Sequence, residues 1–245
     1  METNAYDLFK SIHESKGMVY LGRKKGLSFS YNIFFSNFHE LKKACAFVEN
    51  PENGVKLLLS ESLQSRGVAA HMEVNRLFHN FLAGAQTLVE HTRNFMREYY
   101  FSTSVKNAYD HKISIEFSND GLSKFIQDLR NYIVHKGLPK NSITLSATRQ
   151  SLDMQGCDLV TSVTLSKKDL LLWKQWSKNG RAYIETLEDQ IVVSSIANPY
   201  GDKIISLHDW LNKKLDEHHS GDLKKLNELQ KAYSLADEQR GKVHS

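Results

Sequence analysis

The sequence predicts an α+β chain that is mainly α: a helical bundle with two small β-hairpin additions. Three observations predict it. Apolar residues recur every three or four positions over long stretches, most clearly over 71–100 and 116–139. Two shorter stretches, 17–35 and 141–166, alternate apolar and polar residues around turn-forming sequence. Only three prolines and 13 glycines interrupt 245 residues, which leaves little material for flexible linkers.

Taken in order, Tyr6, Leu8, Phe9 and Ile12 give a short amphipathic helix over 3–15. Residues 17–35 read as two strands around a Lys-Lys-Gly turn, with Leu27, Phe29, Tyr31 and Ile33 alternating. Helical spacing returns over 37–50 and is stopped by Pro51 and the Glu-Asn-Gly turn at 52–54. Residues 55–64 fit a short helix or a strand equally well. The stretch from His71 to Tyr100 carries about eight turns of apolar periodicity, from Leu77 and Phe78 through Met96 and Tyr99. A second strong helix over 116–139 has the stripe Leu122, Phe125, Ile126, Leu129 and Ile133. Asn119 or Asp120 is placed to cap it, and Gly137 and Pro139 end it. Residues 141–150 and 157–166 form a hairpin around the turn at 151–156. The chain from 167 to 238 is helical again, with Ser166 as the first cap and Trp173, Trp176 and Trp210 inside apolar patterns. The whole reads as one domain over 1–245, with an α/β extension at 1–68, a helical centre at 69–140, a hairpin at 141–166 and closing helices at 167–245.

Composition excludes several classes. Hydrophobic residues make up 40% and charged residues 24%, as in ordinary globular chains. The net charge of +4 permits an anionic partner without the excess of a non-specific DNA coat. Cys45 and Cys157 have no neighbour at metal-ligand spacing, and two cysteines do not make a disulfide scaffold. No run reaches the roughly 18 apolar residues of a membrane helix, and the first residues lack a basic-then-apolar signal pattern. A cytoplasmic protein without membrane contact is therefore expected. There is no phosphate loop, since "GRKKG" at 22–26 lacks the spacing, and no GxSxG or His-Glu-x-x-His motif. His218 and His219 beside Asp216 and Glu217 read as a solvated helix end rather than a metal site, because adjacent helical residues point about 100° apart. No metal and no cofactor is expected.

One stretch has a specific chemical reading: "DLRNYIVHKGLP", residues 128–139. An arginine five residues before a histidine is weak alone, and Arg66 with His71 repeats the spacing. Asn131 directly after Arg130 distinguishes this copy, because Gly67 follows Arg66. On a helical wheel Arg130 lies on the flank of the apolar stripe, about 80° from its centre. Asn131 and His135 lie on the far face, within about 40° of each other. A helix C-terminus favours an imidazolium, and an arginine supplies a permanent fork for phosphate oxygens. That is a proton carrier and an anion stabiliser, the minimum for phosphodiester chemistry without a metal. An ion-paired Arg130 and a capping His135 would produce the same pattern, and both readings stand on these residues.

The long amphipathic helix followed by one ending in "RNYIVH" (130–135) resembles the HEPN superfamily, marked by Arg-x4-6-His, often with a polar residue after the arginine. The resemblance is strongest over 69–140, and the whole chain is similar to bacterial HEPN-like proteins. It implies an HEPN-like helical bundle that forms a homodimer with its motifs meeting across a two-fold axis. It implies a metal-independent endoribonuclease acting as a toxin, in phage defence or in stress response. In that chemistry the ribose 2′-OH attacks the adjacent phosphate. His135 would move the proton, Arg130 would stabilise the charged phosphorane, and Asn131 would orient His135 or the phosphate. The partners it implies are RNA and an antitoxin or regulatory protein. Other members are non-catalytic modules that bind RNA, a nucleotide or a protein. The branch paired with nucleotidyltransferases often has tyrosine two residues after the histidine, and Gly137 stands there in this chain.

Overall fold

The computed structural model describes residues 5–59, 64–149 and 157–243. It is mainly helical, with one small antiparallel sheet. Helix α1 (Ala5–Glu14) leads into α2 (Lys16–Glu49), a 34-residue helix. The expected first hairpin is therefore absent: residues 17–35 lie inside α2, and the described part of the N-terminal extension is helical, not α/β. The alternation that suggested strands wraps onto different faces. Leu27 is buried and Tyr31 half-buried, while Phe29 and Ile33 are exposed. The burial that decides the element runs through Tyr20, Leu27, Phe34, Phe38, Leu41, Cys45 and Val48, at helical intervals. Ser15 caps the helix by accepting from the Met18 amide at 3.1 Å.

Pro51 stops α2 as expected, but it also begins α3 (Pro51–Leu59), where its missing N–H is harmless. Asn50 Oδ1 accepts from the amides of Glu52 and Asn53, so the turn expected at 52–54 is the first turn of that helix. The long central helix is α4 (Gln64–Tyr99), about 54 Å at 1.5 Å per residue. It lies along α2 and buries Leu77, Phe78, Phe81, Leu82, Ala85 and Leu88. Helix α5 (Ser104–Glu116) follows, with Thr103 as its cap. Helix α6 (Gly121–Lys136) is the second strong helix, shorter than 116–139: Glu116 ends α5, residues 117–120 connect the two helices, and Gly137 closes the far end. Of the two candidate caps, Asp120 is the one used: its carboxylate accepts from the amide and hydroxyl of Ser123 and pairs with Lys203 at 3.0 Å. Gly137 closes α6 at φ 93°, a conformation that disfavours a side chain.

The expected hairpin after α6 is present. Strand β1 (Asn141–Arg149) pairs antiparallel with β2 (Cys157–Ser166), Asn141 opposite Leu165 and Arg149 opposite Cys157. Its turn at 151–156 lies outside the described residues. Helices α7 (Lys167–Leu171) and α8 (Lys178–Thr186) precede a short third strand, β3 (Gln190–Val192), on the other edge of β2. Ser166 caps α7 as expected, accepting from the Asp169 amide. Helices α9 (Val193–His218) and α10 (Ser220–Val243) complete the chain, and α10 packs on α1 and α2.

The main core joins α2, α4, α6, α9 and β2 around Phe34, Phe38, Phe81, Leu129, Leu165 and Ile196. A second cluster lies around Tyr20, Met96, Tyr100 and Leu215. Trp173 and Trp176 are buried and meet edge to face at 4.9 Å, while Trp210 is half-buried under Lys112. Packing uses the first two, as their place inside apolar patterns predicts.

Candidate functional site

Helix α6 is held on three sides. Phe125, Ile126 and Leu129 fix one face in the core. Asp128 fixes a second by accepting from the Ser177 amide at 2.8 Å and its hydroxyl at 2.6 Å, which anchors the start of α8. The third side faces α4 across a groove lined by Arg130, Ile133 and Val134 on one wall and His79, Gln86, Glu90 and His91 on the other.

Arg130 is half-buried, and its Nη1 donates to Asn131 Oδ1 at 3.3 Å, a long contact. Among the described residues no carboxylate pairs with it. Asn131 is half-buried beside it. His135 sits in the last turn of α6, is exposed, and has no hydrogen-bond partner among the described residues. Five residues of helix separate Arg130 from His135 by about 140° and about 7.5 Å of rise. Within the chain, Arg130 therefore meets Asn131 and His135 stands apart. The arrangement offers an unmatched cation beside a groove and a free imidazole at the helix end. The first can hold an anionic oxygen, and the second can exchange a proton with a group brought to it.

The opposite wall was not identified from the sequence. Glu90 Oε1 accepts from Gln86 Nε2 at 2.9 Å and from Arg93 Nη1 at 3.0 Å. His91 Nδ1 is 2.6 Å from the Ser30 hydroxyl, which ties this wall to α2. These residues form the polar stripe of α4, and periodicity alone could mark them as outward-facing. That they look onto Arg130 is a fact of tertiary packing.

Elsewhere, His218 is exposed as expected of a helix end, but His219 is turned inward. Its ring stacks on Tyr20 at 4.1 Å, and its nitrogens meet the Tyr100 hydroxyl at 3.0 Å and Asp222 at 3.1 Å. Tyr20 and Lys24 both donate to Asp216, so this corner is a structural network between α2 and the α9–α10 turn. Among the described residues no group of three side chains is arranged to hold a metal ion. No helix among them is long and apolar enough to cross a membrane. No family model, curated protein or solved structure matches the chain.

Proposed function

We propose that the protein is a metal-independent, HEPN-type endoribonuclease that cleaves RNA through attack of a ribose 2′-OH on the adjacent phosphate. The observation that carries this reading is the half-buried Arg130 guanidinium, without a carboxylate partner among the described residues, on the same helix as an exposed His135 that has no hydrogen-bond partner among them. In the step, the 2′-oxygen–phosphorus bond forms and the phosphorus–5′-oxygen bond breaks. A base removes the 2′ proton and an acid delivers one to the leaving 5′-oxygen. Arg130 stabilises the charge that develops on the non-bridging oxygens. His135 serves the proton transfers, and in a homodimer two copies can divide the roles of base and acid. Asn131 holds the Arg130 fork by accepting from it.

A non-catalytic module that binds RNA, a nucleotide or a protein is the second reading. It is favoured by one observation: among the described residues no group hydrogen-bonds His135 to orient it. Expression in a bacterial host separates the two. The wild type arrests growth and fragments cellular RNA, while Arg130→Ala and His135→Ala do neither; equal behaviour of all three proteins removes the ribonuclease.

A further inference from the structure

We propose that the cavity behind Arg130 binds a small amphipathic anion: one aryl ring or a short alkyl chain carrying a carboxylate, sulfonate or phosphate ester. The cavity has a volume of about 100 Å³ and lies where α4, α5, α6 and α9 meet. Leu82, Ala85 and Leu88 of α4, Ile126 of α6 and Ile204 of α9 make its walls apolar. Close-packed interiors keep few voids larger than a water molecule. An apolar cavity of ~150 Å³ accepts a whole benzene, so this smaller one takes a short chain or one edge of a ring, with the polar head at the mouth.

The charge of that head follows from what the polar lining groups already do. At the floor, Thr92 donates to the Leu88 carbonyl at 2.7 Å, and His208 Nε2 lies 3.2 Å from the Thr92 oxygen. These contacts account for the Thr92 hydroxyl and for His208 Nε2. Arg93 also lines the cavity, but Glu90 neutralises it at 3.0 Å. Of the charged lining groups Arg130 and Lys124 remain, and neither has a carboxylate partner among the described residues; Gln127 and the hydroxyls of Tyr109 and Tyr200 add neutral polar groups. A lining with an apolar body and two unmatched cations selects an amphipathic anion over either half alone.

Arg130 borders both this cavity and the open groove on the α4 side. An occupant that engages the guanidinium from behind withdraws it from the groove. This regulatory consequence rests on the ribonuclease reading; the binding does not.

Phenyl phosphate, titrated calorimetrically into the full-length protein, tests the proposal, with benzoate, benzyl alcohol and inorganic phosphate as comparisons. The expected result is one phenyl phosphate per chain, with benzyl alcohol and inorganic phosphate each at least about tenfold weaker. Benzoate binding as well assigns the site to aryl anions in general, and its failure narrows the class to phosphate esters. Ala85→Leu, which fills the cavity, and Arg130→Gln, which removes the charge, each weaken phenyl phosphate at least about tenfold. Should Ala85→Leu fail to fold by circular dichroism, Ile113→Phe fills the same space from α5. The proposal is overturned if phenyl phosphate does not saturate by about 10 mM, if inorganic phosphate binds as well, or if a folded cavity-filling variant binds it unchanged. None of these outcomes depends on RNA cleavage, so binding can fail while the ribonuclease stands, and the reverse.

Discussion

Arg130 and His208 show how far single residues could be read in advance. Arg130, Asn131 and His135 were marked by spacing, and the wheel placed the last two away from the apolar stripe. What the wheel could not supply was the neighbour: Arg130 looks onto the α4 wall that carries Glu90, and among the described residues no carboxylate pairs with it. His208 carried no sequence signal, because one histidine inside an apolar helix looks like any other. In the structure it is 3% exposed, and burial pushes its imidazole down to about 4. Thr92 spends its proton on Leu88, so His208 Nε2 must donate to the Thr92 oxygen, which fixes the neutral tautomer. The folded state thus binds the His208 proton less readily than the unfolded state, where the group titrates near 6.5. Stability contributed by the neutral form is present above the unfolded value and is lost as pH falls from about 6.5 towards 4. The loss between pH 7 and pH 5 is on the order of 2 kcal/mol. Urea titrations at the two pH values measure it. His208→Gln, which keeps a donor for Thr92, flattens that slope, and an unchanged slope in the variant removes His208 as its source.

At the scale of elements, the errors share one physical cause. Local alternation in 17–35 looked like strands, yet α2 is a helix because its apolar residues, taken over seven-residue intervals, fit the surface of α4. Lys-Lys-Gly looked like a turn, yet Gly22 and Gly26 sit on the exposed side of α2, where a helix tolerates them. An added Cβ meets nothing within 4 Å at either position. Gly22→Ala and Gly26→Ala should each therefore raise stability by up to about 1 kcal/mol, read as a higher denaturation midpoint. A loss in either would argue against a continuous α2. Gly201 is the contrast. A Cβ there runs into the Phe38 ring, where α9 crosses α2 closely. Gly201→Ala should cost about 1–3 kcal/mol, measured the same way; a neutral effect would place the crossing elsewhere. The elements that were legible, α4, α6 and the β1–β2 hairpin, have patterns long enough that tertiary context had nothing to override. Helix α5 and the three-residue β3 carried too little pattern of their own to be seen.

At the scale of the molecule, the proposal requires two copies. His135 is exposed and has no hydrogen-bond partner among the described residues, and Val134 beside Arg130 is 60% exposed. Phe29, at 69%, leaves further apolar surface on α2. A valine of that exposure lining a groove next to an unmatched arginine is a surface that a second chain can cover. Light scattering at tens of micromolar should give twice the chain mass of 28.1 kDa. Val134→Asp should shift the population towards monomer and lower cleavage with it. A wild-type protein that stays monomeric would exclude the two-fold cleft and leave His135 without a second copy.

The central claim is that this helix end cuts RNA by using the 2′-hydroxyl. The most direct measurement incubates the purified protein with an RNA it cleaves, in excess EDTA, beside the same strand carrying a 2′-deoxy nucleotide at the scissile position. Cleavage of the first to a cyclic phosphate and a 5′-hydroxyl, with none of the second, and its loss in Arg130→Ala and His135→Ala, is the expected result. Cleavage of the deoxy strand, or cleavage that survives both substitutions, would contradict it.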